Sequence, residues 1–152
     1  MLPDTTEGTA PAPTRPSTYY VAPLLPEENT GIQSCAYFDE QWDRVWPPTP
    51  LDSKGAMSVR IEQADAGDIL KLPLELQKAI DGNAVLIGAA VRTDLSSLPT
   101  LFTPLASDGS ITVNVAAKAT CAAILLFSAR DIAHGTFCLR PTPDPQITNS
   151  SM

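Results

Sequence analysis

The chain has 152 residues and a mass of 16.2 kDa, of which 43% are apolar and 18% charged, and its formal net charge is −7. This size and composition are typical of one globular domain, and 17 acids against ten bases oppose a surface that neutralises nucleic-acid phosphates. The longest uninterrupted apolar run, Cys121 to Phe127, is far shorter than the roughly 20 residues that a membrane-crossing helix needs.

The first 30 residues predict an extended arm outside any compact core. Proline removes backbone donors and fixes φ, and the surrounding Thr, Ala, Ser and Glu offer little apolar surface to bury. The acid excess is concentrated at this end, because residues 1–50 carry a net charge of −5 against −2 for residues 51–152. This negative charge either keeps the arm solvated or docks it on a basic partner. The prolines of the arm are Pro3, Pro11, Pro13, Pro16, Pro23 and Pro26.

Aromatic residues concentrate in residues 31–50, which we interpret as an anchor segment. The spacing of Phe38, Trp42 and Trp46 predicts one face of a short helix, whereas the alternation around Tyr37 also fits a strand. Three prolines then prevent regular structure. Two interpretations stay open: the aromatics are buried against the following domain, or Tyr37, Trp42 and Trp46 form an exposed platform for a glycan or a peptide.

Residues 51–140 predict a β domain of six to eight short strands. Alternation of apolar and polar residues over Met57–Ile61 and Ile111–Val115 is typical of half-buried strands. Ala84–Val91 and Cys121–Phe127 are continuous apolar runs, which predict central strands covered on both faces. Thr136–Arg140 predicts a final short strand.

One short helix is predicted from Pro73 to Ile80, because proline suits the first helical position and an Asp-Gly pair follows. Alternating leucines from Leu70 to Leu76 leave a strand as the other interpretation. Turns are predicted at residues 66–68, 81–83 and 107–110. The fold class is therefore all-β, an antiparallel β-sandwich or jelly-roll-like domain with one short helix, a long N-terminal arm and a polar C-terminal tail over residues 141–152.

The sequence contains little that suggests catalysis or a cofactor. Ser128, Asp131 and His134 fall within seven residues, but one connecting turn would not hold three catalytic groups in register. The acids around Asp39 and Asp65 match no calcium-loop spacing, and a single histidine with three scattered cysteines argues against a zinc site. We therefore expect no catalytic residue, no cofactor and no metal.

The three cysteines, Cys35, Cys121 and Cys138, leave at least one free thiol in a monomer. If the runs around Cys121 and Cys138 form a hairpin that turns near Arg130, their thiols could be bridged across the strands. The other interpretation is that they are small, reduced core residues, and nothing in the sequence indicates an oxidising compartment.

These features predict a non-enzymatic structural subunit of a large assembly, such as a coat, cement (decoration) or protruding-domain protein of a virus or phage particle. The partners would be other protein subunits, including copies of itself, and the location the virion, or otherwise a soluble protein without signal peptide. The alternative function is a glycan- or peptide-binding module for host attachment. Residues expected at a partner surface are Tyr19, Tyr20, Leu24, Leu25, Tyr37, Trp42 and Trp46.

Overall fold

A computed structural model of the chain describes residues 17–26, 31–47, 49–92, 101–115, 120–131, 134–143 and 145–149. These residues form eleven strands and two short helices, which confirms a mostly β fold. In chain order the elements are β1 (Ser17–Pro23), β2 (Cys35–Phe38), β3 (Arg44–Trp46), β4 (Leu51–Asp52), β5 (Ser58–Gln63), α1 (Ala66–Ile69), α2 (Leu74–Ala79), β6 (Ala84–Arg92), β7 (Leu101–Pro104), β8 (Ser110–Asn114), β9 (Thr120–Asp131), β10 (Thr136–Pro141) and β11 (Gln146–Thr148).

The strands lie in two sheets. The first sheet has the order β3-β2-β1-β5-β8, in which β1 and β5 run parallel and the other neighbours antiparallel. The second sheet has the order β4-β11-β9-β6-β7, and β10 pairs with β9 on the edge that β9 also shares with β11. Strand β9 is therefore the centre of the second sheet.

Both sheets contribute side chains to one buried apolar cluster. Alternate residues of each strand point inward, as the period of two in a strand requires. The first sheet supplies residues such as Val21, Val59 and Ile111, and the second supplies residues such as Leu125 and Phe127, all of them almost completely buried. A second, smaller cluster lies on the opposite side of the first sheet, beneath α1 and α2.

The predicted boundary between arm and body is wrong for part of the arm. Ser17–Pro23 is the central strand of the first sheet, flanked by β2 and β5, and Val21 is fully buried. Residues 1–16 and 27–30 lie outside the described residues. The aromatic segment also belongs to the first sheet, as β2 and β3, and the predicted tail contains β11, which pairs with β9 and β4.

The strand interpretation of the aromatic segment is confirmed, and the helix that spacing suggested is wrong. The carboxylate of Asp39 accepts hydrogen bonds from the backbone N–H groups of Gln41 (2.9 Å) and Asp43 (3.0 Å), which folds the chain into a hairpin loop. Trp42 occupies the left-handed region at φ 66° within that loop. A helix over Phe38–Trp46 would break this turn.

The helix prediction for residues 73–80 is confirmed as α2, with Pro73 at its N-cap. The predicted turn at residues 66–68 is instead the short helix α1, where the Asp65 side chain accepts the N–H of Asp68 at 2.8 Å. Seven strands lie between residues 51 and 141, within the expected range. None of the helices among the described residues is long and apolar enough to cross a membrane.

Candidate functional site

Two of the residues expected at a partner surface lie in the core. Tyr19 and Tyr37 both belong to the main buried cluster. The Tyr19 hydroxyl donates to the carbonyl oxygen of Asp52 at 2.8 Å and accepts the Asp52 N–H at 2.9 Å. Burial raises the pKa of Tyr19 above its ordinary value. This side chain therefore links β1 of the first sheet to β4 of the second.

The aromatic residues of the predicted platform lie on opposite faces of the first sheet. Trp46 packs edge-on against Tyr37, with ring centroids 5.7 Å apart, on the side of the main cluster. Trp42 belongs to the smaller outer cluster, where it stacks on Tyr20 with centroids 4.4 Å apart. Because the sheet separates them, these three indole and phenol rings do not form one surface. A glycan- or peptide-binding function stays a prediction, and these three rings do not provide a common platform for it.

The outer aromatic pair is held by α1. Lys71 lies over the Trp42 ring, with its Nζ 5.7 Å from the ring centroid, and the same Nζ is 2.6 Å from Asp68 Oδ1. The hydrogen bond to Asp68 raises the pKa of Lys71. Burial raises the pKa of the Tyr20 hydroxyl. The cluster of Tyr20, Trp42 and Lys71 therefore ties the β2–β3 loop to α1, which is a structural role.

Leu24 and Leu25 continue from β1 toward α2. The N–H of Leu24 donates to the carbonyl of Ser34 at 2.7 Å, and the N–H of Leu25 donates to the carbonyl of Ala79 at 2.7 Å. Leu24 packs against the outer cluster, whereas the Leu25 side chain is exposed. Of the seven predicted partner residues, Leu25 is the one that presents a mostly exposed apolar side chain.

The candidate catalytic residues are spread along the β9–β10 hairpin. Ser128 pairs in register with Leu139 and Asp131 with Thr136, while His134 lies in the exposed turn. Three residues along a strand separate the Cα atoms of Ser128 and Asp131 by about 10 Å. This arrangement is an ordinary hairpin, and the absence of catalysis stays a prediction.

The strand register excludes a bridge between Cys121 and Cys138. Cys138 pairs with Ala129 and Cys121 with Ile147, so the two cysteines lie eight residues apart along β9. Cys138 is a free and exposed thiol, so the prediction of a core cysteine is wrong at this position. Cys35 is free and buried, and burial raises its pKa to about 12. The side chain of Cys121 lies outside the described residues.

One charged network joins β5 to the β7–β8 turn. The guanidinium of Arg60 contacts Asp108 Oδ2 at 3.0 Å and also the carboxylate of Glu62. Hydrogen bonds from Ser110, through its hydroxyl and its N–H, and from Arg60 lower the pKa of Asp108 to about 2. Within the described part of the chain, no three His, Cys, Asp or Glu side chains converge as metal ligands would.

The outer face of the second sheet exposes a set of large apolar side chains. In register, Val85 lies beside Ser128 and Leu139, and Ala90 lies beside Ile124 and Phe102, so these positions share one side of the sheet. Their neighbours along each strand, such as Leu86 and Leu125, point into the core. We define the sheet patch as Val85, Phe102, Phe137 and Leu139, which are 42%, 55%, 68% and 63% exposed.

A glycine allows the Phe102 ring to lie on this face. A Cβ atom at Gly88 would lie 2.5 Å from Cζ of Phe102 and 2.8 Å from the carbonyl oxygen of Thr103. Both distances are far below van der Waals contact, so only glycine fits here without a shift of β7. The missing side chain at Gly88 thus provides the space that the Phe102 ring and the β7 backbone occupy.

Sequence reasoning missed this face. The run Ala84–Val91 predicts a strand covered on both sides, which is wrong because Val85 is substantially exposed. Phe137 and Leu139 are two residues apart in a predicted strand, so the sequence indicates that both side chains lie on the same face of the sheet. Their exposure could not be read from the sequence, because it depends on what the fold places above them.

The chain matches no model of a known protein family, and no curated protein matches it.

Proposed function

We propose that this protein is a non-enzymatic structural subunit of a larger protein assembly, of the kind formed by coat, decoration or protruding-domain proteins of virus and phage particles. Its body would be a β-sandwich or jelly-roll-like domain built from the two sheets, and the predicted antiparallel order would hold except where β1 pairs with β5 and β4 with β11, both of which run parallel. Its partners would be other protein subunits, including copies of itself. The observation that carries this proposal is the sheet patch.

The sheet patch has the properties of a protein interface. The largest apolar patch of a monomeric protein covers about 300–600 Å² and is often a functional surface. Four side chains that are 42–68% exposed present apolar area on the order of 400 Å². That area corresponds to the apolar part of one side of a standard interface, which buries about 800 Å² per partner.

The strand at the margin of the patch adds a second mode of contact. β10 pairs with β9 and with no other strand of the described chain, and nearly all its residues are exposed. The first four residues of β10, Thr136–Leu139, carry no charge and no proline, the features that usually protect an edge strand, which are found here at its end as Arg140 and Pro141. In a subunit of an assembly, such an edge would be covered by a neighbour.

The arm enters the proposal on sequence grounds. Since Ser17–Pro23 is a core strand, residues 1–16 are the part of the predicted arm before β1 that we assign to contacts with neighbouring subunits. Four prolines in these 16 residues oppose pairing of the segment with itself. Deletion of residues 1–16 is the corresponding variant, because a longer deletion would remove β1 and unfold the first sheet.

The test is the native mass of the chain in an extract of cells that produce it. An assembly subunit should migrate far above its 16.2 kDa monomer mass. Leu139→Asp, which places a charge in the sheet patch, should return it to the monomer mass. Met57→Asp is the matched control, since Met57 is as exposed as Leu139 but lies just before β5 of the first sheet. A wild-type chain at 16.2 kDa in the extract would overturn the proposal.

A further inference from the structure

A second exposed apolar surface lies on the two short helices, on the side of the first sheet away from the main core. Leu70 ends α1 and is 73% exposed, and Leu74 begins α2 and is 59% exposed. The Gln77 side chain donates to the carbonyl oxygens of Leu72 (2.6 Å) and Leu70 (3.4 Å), which fixes the connection between the helices. Leu25 is attached to the end of α2 through Ala79. We define the helix patch as Leu25, Leu70 and Leu74.

The two patches carry opposite charge. The two helices and their flanking residues, 65–80, contain three acids, Asp65, Asp68 and Glu75, and two lysines, Lys71 and Lys78. In register, Arg92 pairs with Ala122 and Arg130 with Phe137, so both arginines occupy positions on the patch side of the second sheet, whereas Arg140 and Asp131 alternate to its other side. The charged positions on the patch side of these strands are therefore basic, in a chain with a net charge of −7.

We infer that the sheet patch of one copy docks on the helix patch of a second copy, in a head-to-tail contact. Each surface has exposed apolar side chains, and the arginine positions beside the sheet patch face a segment in which acids outnumber lysines around the helix patch. Complementary charges of this kind orient the two surfaces and suppress other pairings. This inference rests on the proposed function, because it names the occupant of the same sheet patch.

Two sheet patches are a poorer match for each other. A two-fold contact of this face with itself would bring four arginines, two from each copy, toward one interface. Like charges that are brought together across an interface oppose association. The acidic helix patch instead offers carboxylates at its margin, such as Asp68 and Glu75.

Head-to-tail contacts have a consequence for assembly. The two patches lie on different faces of the molecule, so each copy can contact one neighbour through its sheet patch and a second neighbour through its helix patch. Such contacts form a closed ring if the rotation from each copy to the next adds up to a full turn, and an open filament if it does not. Either result is a many-copy assembly built from one chain.

Two single substitutions separate this arrangement from the alternatives. Leu139→Asp disables the sheet patch and leaves the helix patch intact, and Leu70→Lys does the reverse. Both residues are mostly exposed, so circular dichroism and thermal unfolding should match wild type. The measurement is sedimentation velocity of the purified full chain over a range of concentrations, at low salt and at high salt.

The inference predicts complementation. Wild type should form species larger than a dimer, and each variant alone should remain monomeric over the range where wild type associates, with association weakened about tenfold or more. An equal mixture of Leu139→Asp and Leu70→Lys should form a dimer and stop there, because each partner supplies one intact surface. Met57→Asp and Met57→Lys are the controls and should associate as wild type does. Salt should weaken association of wild type.

Two outcomes overturn the inference. If Leu70→Lys dimerises alone and the mixture gains nothing, the sheet patch pairs with itself. If purified wild type stays monomeric at every concentration, the occupant is not a second copy. If the purified protein is monomeric but migrates in a large complex in the cell extract, and Leu139→Asp abolishes that complex, the proposed function stands and this inference fails. If the protein is monomeric both when purified and in the extract, the inference and the proposed function both fail.

Discussion

The ring of Tyr20 stacks on the ring of Trp42, with centroids 4.4 Å apart and planes 21° from parallel. The two residues come from β1 and from the β2–β3 loop, so the contact closes the outer side of the first sheet. Trp42 holds this position in the left-handed region, at φ 66°, which is unfavourable for a bulky residue. The stack is one of the interactions that stabilise this backbone conformation.

A double-mutant cycle should therefore detect coupling between the two rings. Tyr20→Ala and Trp42→Ala should each lower the free energy of unfolding, and the coupling should be about 0.5–1.5 kcal/mol, as for other aromatic pairs. Urea unfolding of the four proteins measures it. Tyr20→Ala combined with Met57→Ala is the control pair and should be additive. A coupling of zero for Tyr20 and Trp42 would mean that the stack contributes nothing.

The contact between Gly88 and Phe102 predicts a site-specific cost. Gly88→Ala should lower the free energy of unfolding by about 1–3 kcal/mol, because the backbone carbonyl of Thr103 cannot yield to a new Cβ atom. Gly82→Ala is the matched control, since nothing lies within 4 Å of a Cβ there. The control should be neutral or slightly stabilising in the same urea experiment. Equal stability of the two variants would contradict the close approach of β6 and β7.

The network around Asp108 predicts a dependence of stability on pH. The pKa of Asp108 falls from 3.8 to about 2 in the folded protein, mainly through hydrogen bonds from Ser110. A lowered folded-state pKa stabilises the fold above pH 3.8, and this stabilisation is lost as the pH falls toward about 2. The difference in unfolding free energy between wild type and Asp108→Asn should shrink across that interval.

Ser110→Ala tests the cause of this shift. It removes the hydroxyl donor that lies 2.6 Å from Asp108 Oδ1 and keeps the backbone donor. The Asp108 pKa, followed by carboxyl NMR titration, should rise toward its ordinary value. An unchanged titration midpoint would assign the shift to the Ser110 N–H and Arg60 and not to the Ser110 hydroxyl.

The two described thiols should differ in reactivity. Cys138 is exposed on β10, whereas Cys35 is buried with a pKa raised to about 12, so almost no thiolate forms at pH 8 in the fold. Alkylation with iodoacetamide followed by peptide mass mapping should modify Cys138 rapidly and Cys35 only after unfolding in urea. Modification of both at the same rate would show that Cys35 is accessible.

Local sequence pattern predicted much of the β body. Alternation identified β5 and β8, and an Asp-Gly pair after a proline-led segment identified the end of α2. The pattern that predicts each of these elements lies within the residues of the element itself, so it can be recognised without knowing the distant residues that pack against it. The apolar runs also predicted β6 and β9 as strands. They did not predict that one face of this sheet is exposed, because the exposure of Val85 depends on whether another element packs over it.

The elements that were missed depend on distant partners. β1 is bounded by Pro16 and Pro23 and carries polar residues, so it has the composition of an arm although it lies between β2 and β5. β11 is three residues long and is defined only by pairing with β9 and β4. The candidate docking surface could not be predicted for the same reason, and of the five predicted partner aromatics Tyr19 and Tyr37 are buried and the other three half-buried.

The most direct test of the sheet patch is hydroxyl-radical footprinting, which measures the solvent exposure of individual side chains. Wild type in its assembled state should be compared with Leu139→Asp, using Phe102, Phe137 and Met57 as reporters. We expect oxidation of Phe102 and Phe137 to fall sharply in the assembly, while Met57 is oxidised equally in both. Equal oxidation of the two phenylalanines in assembled and monomeric protein would contradict the assignment of this face as an interface.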